Sequence, residues 1–223
     1  MTTAGKRQVL EDAGDRQEVF PVSNRQSFRY VVVYKPHGVL CAPRDRLGRR
    51  TLSTLGIPPH LKPAGRLDLD SEGLVLTTDD GQLIHRLTHP RYHHPKTYLV
   101  LVLGQPSLEA LSTLREGVEI VLGTTRPADV ERLAAAPDLP PSPEPLPAPE
   151  KTTWLRMVLY EGMNRQIKRM TAAVEHPTVR LVRVGLGPLT LPRDLAPGEW
   201  RDLTNTERRL LLDWIWPEGH PAR

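Results

Sequence analysis

The chain has 223 residues, 39% of them hydrophobic, and its 30 basic and 26 acidic side chains give a formal net charge of +4. That supports a folded protein of one or two domains and excludes wholesale disorder. A single cysteine, Cys41, excludes an intrachain disulfide framework, and neither a signal peptide nor an apolar run of about 18–20 residues is visible.

Residues 1–27 are polar and aperiodic and read as a flexible arm, with Lys6, Arg7, Arg16 and Arg25 partly offset by Glu11, Asp12, Asp15 and Glu18. The β-branched run Tyr30–Tyr34 predicts a strand, ended by the turn chemistry of Lys35-Pro36-His37-Gly38. A short helix is expected over 51–55, closed by Gly56, and a strand over 73–78. Asp79-Asp80-Gly81 turns the chain into a helix with Leu83, Ile84 and Leu87 on one side. Tyr98–Leu103 is strand-like, and Ser107 caps a helix containing Leu108, Leu111 and Leu114 that closes at Gly117.

Residues 137–149 carry seven prolines and cannot enter the interior of a sheet or helix, so they read as an extended surface insert near 137–150. Strand alternation resumes at Trp154–Tyr160, followed by helical spacing over 164–174 with Ile167, Met170, Thr171 and Val174 on one face. Val179–Val184 and Leu189–Leu191 read as strands, with a turn at Pro197-Gly198. Thr204 and Glu207 form a capping box for a last helix through Leu210, Leu211, Trp214 and Ile215. The pattern is α/β or α+β with a largely antiparallel sheet.

Three segments concentrate polar groups. In Gly65-Arg66-Leu67-Asp68-Leu69-Asp70-Ser71-Glu72-Gly73, the leucines anchor the segment inward while Arg66, Asp68 and Asp70 project the other way. Such a segment can hold a catalytic carboxylate beside a cleft, although paired Asp and Glu are ordinary in an acidic surface turn. In the second, Asn164 is a candidate cap for a helix that displays Arg165, Gln166, Lys168 and Arg169. Residues 151–183 hold seven basic groups (Lys151, Arg156, Arg165, Lys168, Arg169, Arg180 and Arg183) against Glu161 and Glu175, which fits either a phosphate backbone or a solvated helix face. In the third, Lys96-Thr97-Tyr98, Tyr98 is either a base-stacking platform or a core aromatic. Histidines 85, 89, 93 and 94 lack convincing ligand spacing and read as a wet, basic rim; no metal site is expected. The excess of 24 Arg over 6 Lys fits nucleic-acid contact or a GC-rich genome.

The motifs GRLDLDSEGLVLTTDDGQL (65–83), KTY (96–98) and EGMNRQIKRM (161–170), with YKPHGVL (34–40), LVRVGLGPLTL and PGEWRDLT, closely resemble the bacterial ribosomal-RNA pseudouridine synthases of the small-subunit synthase A type. The resemblance spans residues 29–204. It implies an α+β pseudouridine synthase catalytic fold over 28–217, with a large, mainly antiparallel mixed sheet flanked by helices and loops, and a tail over 218–223. It also implies that Asp68 is catalytic, that Tyr98 packs against the uracil and assists proton abstraction, and that Lys168 pairs with the catalytic aspartate. Arg66 is implied to fill the vacancy left by a flipped base, Arg165, Gln166, Arg169 and Lys96 to contact RNA, and Leu186 and Leu189 to line the pocket.

Many members of this type carry an S4-type RNA-binding domain; only 28 residues precede the matching region, so none is expected. That, together with N-R-Q in the late motif and the long insert before Thr152, most resembles the member acting on 23S rRNA, although Met163 stands where arginine is usual. The expectation is therefore a cytoplasmic, monomeric rRNA isomerase that needs neither metal nor organic cofactor nor an obligate protein partner. It would act on 23S rRNA or on a pre-ribosomal large-subunit particle. Action on 16S rRNA or another structured RNA, and a non-catalytic ribosome-assembly factor on the same fold, are the alternatives.

Overall fold

A computed structural model describes residues 28–218. The expected arm over 1–27, and all of the expected tail beyond Glu218, lie outside the described residues. The elements run β1 (Tyr30–Lys35), β2 (Lys62–Pro63), β3 (Glu72–Thr78), α1 (Gly81–Thr88), β4 (Lys96–Leu103), α2 (Leu108–Glu116), β5 (Glu119–Ile120) and β6 (Gly123–Thr124). They continue as β7 (Asp129–Arg132), β8 (Thr152–Leu159), α3 (Gln166–Ala173), β9 (Thr178–Leu186), β10 (Leu189–Thr190), β11 (Trp200–Asp202) and α4 (Asn205–Ile215).

The order along the main sheet is β11-β1-β3-β9-β4-β8-β7, with β10 added to β9 and β2 to β3; β5 and β6 form a separate hairpin. Pairing is antiparallel throughout except between β3 and β9. The architecture is thus the expected α+β fold, and the closed-off turns follow the sequence signals. Asp80 accepts from the backbone N–H groups of Gln82 and Leu83 at the start of α1 and from the Tyr30 hydroxyl (2.9 Å). Ser107 caps α2, and Thr204 with Glu207 forms the reciprocal capping box of α4.

Why β1 and β3 lack polar alternation is clear from their place in the sheet: every residue of both is buried, so both faces are covered. Tyr30, Val32, Tyr34, Leu74 and Leu76 meet Leu83 and Leu87 of α1 and Leu211 and Ile215 of α4. Val31, Val33 and Val75 meet Val39, Leu52, Ile57, Leu61 and Leu67 on the opposite face. A further core joins Val100, Val102, Leu155, Met157 and Leu181 to Leu111 and Leu114 of α2 and to Ile167 and Met170 of α3.

The β1/β3 half meets the β4/β8/β7 half along β3 and β9, where only two residue pairs are in register, Glu72 with Val182 and Gly73 with Arg183. A bidentate ion pair sits at this seam: Arg180 Nε donates to Glu72 Oε2 (2.7 Å) and Nη2 to Oε1 (3.1 Å), with both side chains buried. Arg180 Nη2 also donates to Pro140 O (3.0 Å), which fastens the proline-rich insert to the seam. Apart from a short turn of helix at Pro149–Lys151, that insert joins no strand or helix, as its prolines require.

Two sequence readings are corrected here. Arg180 and Arg183 are buried, so the late basic segment is not one continuous surface; β9 lies inside the sheet, which no local charge count reveals. Helix α3 is not capped by Asn164: it starts at Gln166 after Arg165 adopts a left-handed conformation (φ 51°), while Asn164 Oδ1 accepts from Arg169 Nη2.

Replacing one partner of the seam pair should leave a buried charge uncompensated. Glu72→Gln is expected to lower stability by about 3–5 kcal/mol in urea denaturation, and Glu72→Gln combined with Arg180→Met to recover roughly half of that loss.

Candidate active site

The Gly65–Glu72 segment links β2 to β3, and its backbone is held from several sides. Ala64 N–H donates to Leu76 O (2.7 Å), Leu67 N–H to the buried Cys41 sulfur (3.3 Å), and Ser71 N–H to Asp68 O (3.2 Å), which closes a turn. Gly38 N–H, from the turn after β1, donates to Leu69 O (2.8 Å). Beneath it lies Lys35, the last residue of β1 and fully buried. Its Nζ donates to Ser71 O (2.6 Å), Pro36 O (2.9 Å) and Leu69 O (3.3 Å). Burial lowers the Lys35 pKa to about 8, opposed by the nearby Cys41 sulfur and by the carboxylates of Glu72, Asp70 and Asp68. The loop is therefore fixed through its main chain, which leaves the side chains of Arg66 and Asp68 out of the scaffold.

Gly73 ends the loop where two backbones nearly touch. Its φ is +107°, and a Cβ there would lie 2.2 Å from Arg183 O and 2.8 Å from Arg183 N. Only glycine allows both that conformation and that approach.

A cleft of about 480 Å³ opens above these elements, within the usual size of small-ligand cavities. Arg66, Asp68, Lys96, Tyr98, Arg165, Gln166 and Leu186 all line it, so residues from four distant segments converge. Arg66 is exposed, and Asp68 and Tyr98 are half-buried. Gln166 is buried, with its amide used internally: Nε2 donates to Glu161 Oε1 (2.7 Å) and Oε1 accepts from Met163 N–H (2.9 Å).

Lys168, Arg169 and Leu189 are not among the lining residues. Leu189 packs in the core beneath α4. The partner of Lys168 is Asp70, not the expected Asp68: Nζ lies 2.6 Å from Asp70 Oδ2, and Arg165 Nη2 lies 3.1 Å from the same oxygen. The turn after Asp68 is what redirects the carboxylates, placing Asp70 toward the start of α3 and Asp68 toward the cleft. Burial raises the Asp70 pKa, and hydrogen bonds from Lys168 and Arg165 outweigh it, leaving the carboxyl below its ordinary value. Asp68 makes no ion pair within 4.0 Å among the described residues.

Sequence reasoning missed Lys35 as a support of the site and placed Arg183 on a basic surface, whereas both are buried under the cleft. A lysine at the end of an apolar strand was the available signal for the first; nothing local marks the second. Histidines 89, 93 and 94 line one wall of the cleft, and His85, His89, Tyr92, His94 and Trp214 form a chain of ring contacts behind it. No group of three or more His, Cys, Asp or Glu side chains among the described residues is arranged to hold a metal ion, and no helix among them is long and apolar enough to cross a membrane.

Residues 29–173 match the RNA pseudouridylate synthase family. The chain is 51% identical over 176 residues to ribosomal large subunit pseudouridine synthase E of Xanthomonas campestris, covering 77% of this chain and 93% of that protein. It is 37% identical over 191 residues to ribosomal small subunit pseudouridine synthase A of Escherichia coli, covering 84% and 75%. A crystal structure of a pseudouridylate synthase superposes with a TM-score of 0.70 at 32% identity, covering 83% of this chain and 74% of that one.

The close approach at Gly73 has a measurable consequence. Gly73→Ala is expected to destabilise the protein by about 3 kcal/mol or more, through positive-φ strain together with displacement of β9. A shift of the urea midpoint equivalent to less than 1 kcal/mol would contradict this.

Proposed function

The chain belongs to the RNA pseudouridylate synthase family, and from that premise we propose that it converts one uridine of 23S rRNA to pseudouridine, with Asp68 acting at the sugar. The observation that carries this reading is the convergence of Asp68 and Tyr98 in one cleft, with Arg66 at its mouth. The choice of 23S over 16S rRNA rests on the higher identity to the large-subunit relative, 51% against 37%.

The reaction breaks the N1–C1′ bond, turns the base and joins C5 to C1′; the proton lost from C5 is balanced by one gained at N1. It needs no net redox change. Asp68 supplies a carboxylate that is not consumed by an ion pair, suited to attack or to stabilise an electron-poor sugar carbon. Tyr98, across the cleft at the head of β4, offers a ring face for the uracil and a hydroxyl for the later proton abstraction. Reaching C1′ requires the nucleotide to leave its stack, and the exposed Arg66 is placed to occupy the vacancy. Lys168 and Arg165 act one step away: by holding Asp70 they fix the far end of the loop that carries Asp68. The RNA backbone would then run over Arg66 and Arg165, with Arg169 and the histidine wall flanking it.

Pseudouridine mapping of rRNA from a strain lacking the gene tests the reading. One 23S site should be missing, restored by the wild-type gene and not by Asp68→Asn, with conversion reduced at least about 1,000-fold in vitro. Full restoration by Asp68→Asn would remove Asp68 from the chemistry, and a missing 16S site would move the substrate.

A further inference from the structure

Lys96 and Tyr98 are two residues apart on β4 and so share a face of the sheet. Opposite them, β9 departs from regular pairing: Lys96 faces Leu186, Thr97 faces Gly185 and Tyr98 faces Arg183, leaving Val184 without a partner. In an unbroken strand, residues three apart point to opposite faces. The extra residue is a β-bulge, and it puts both Arg183 and Leu186 opposite cleft-facing positions of β4. All four side chains line the cleft.

Two cations thus lie together at the cleft floor. Arg183 is 1% exposed; its Nε donates to Leu74 O (2.8 Å), and its Nη2 has no hydrogen-bond partner. Lys96 Nζ donates to His94 O (3.0 Å), which leaves two of its three protons uncommitted. Neither forms an ion pair within 4.0 Å among the described residues. The acidic group acting on Lys96 is Glu161, whose Oε1 already accepts from Gln166 Nε2 and Arg126 N–H. His94, whose other charged neighbours are Arg86 and His93, adds no negative charge. Burial, then the neighbouring Arg183, lowers the Lys96 pKa to about 8, with Glu161 opposing.

A buried cation beside a half-buried one, with no ion-pair partner for either among the described residues, is costly unless something negative joins them. We propose that Lys96 and Arg183 form a cradle for the negative charge of the detached uracil, making Lys96 a catalytic residue. The inference rests on the uridine-isomerising function set out above. When N1–C1′ breaks, the bonding electrons leave with the base and spread over N1, O2 and O4. Lys96 meets that charge at a ring carbonyl oxygen and Arg183 acts on it from beneath, while Asp68 bears on C1′. When C5 bonds to C1′ the charge returns to the new bond, and the cradle has favoured only the states between, which is how such a site accelerates a reaction. A backbone phosphate is the other anion RNA offers, but its charge is present before reaction, so the two differ in which kinetic constant they move.

The test compares wild type, Lys96→Met and Lys96→Arg on 23S rRNA lacking the modification, measuring the single-turnover rate at saturating enzyme and Kd by filter binding. Lys96→Met should lower the saturated rate about 100-fold or more and leave Kd within about threefold, with Lys96→Arg retaining most of the rate. The wild-type rate should fall as pH rises through about 8, where Lys96 loses its proton, and Lys96→Arg should lack that fall. A weakened Kd with an unchanged saturated rate would assign Lys96 to a phosphate and overturn the cradle. Equal pH profiles for wild type and Lys96→Arg would overturn it as well, even if Lys96→Met folded poorly. Absence of conversion by wild type would defeat the underlying function; conversion with Lys96→Met at the wild-type rate would defeat the cradle alone.

Discussion

The buried Glu72–Arg180 pair is the interaction on which the rest of the architecture hangs. Two half-sheets with separate cores meet along β3 and β9, and the backbone ladder there offers only two residue pairs. The charged bond adds direction to a contact that apolar packing alone would leave free to slide. A one-residue slip would separate Glu72 from Arg180 in a low-dielectric interior, so the pair selects one register strongly even though its net worth against a well-packed apolar pair is small. Because Glu72 follows directly on the loop bearing Asp68, whereas Tyr98 sits on the far half, the same register fixes the distance across the cleft.

Around that seam the work of shaping and the work of reacting fall to different atoms. Lys35 holds the loop through carbonyl oxygens, Asp70 takes both nearby cations, and Cys41 receives a backbone N–H. Asp68 and Arg66 are left with no structural duty. A change at either should therefore be read in kinetics with little loss of stability, unlike changes at Glu72 or Gly73.

Much of this was legible in the chain itself. Local signals located β1, β3, β4, β8 and β9, the capped starts of α1, α2 and α4, and the insert, since each depends on residues a few positions apart. The motifs also singled out Asp68, Tyr98, Lys96 and Arg66, which do share one cleft. What escaped was decided at long range. Short strands such as β7 and β11 are made strands by their neighbours β8 and β1, not by their own four or three residues. Arg180 looks like the exposed Arg156 and Arg165 until β3 is laid beside it, and whether Lys168 meets Asp68 or Asp70 depends on the turn closed by Ser71 and on where α3 begins.

Val184, which faces no residue of β4, bears on how this chain tolerates change in length. Substituting a β9 residue alters one side chain, but deleting one at the bulge would invert the facing of every residue from Gly185 onward, sending Leu186 away from the cleft and misaligning β10 behind it. A replacement at the bulge thus keeps the facing of the residues beyond it and an indel does not, in contrast to the proline-rich insert, which joins no sheet and can lengthen or shorten beyond the Pro140 contact.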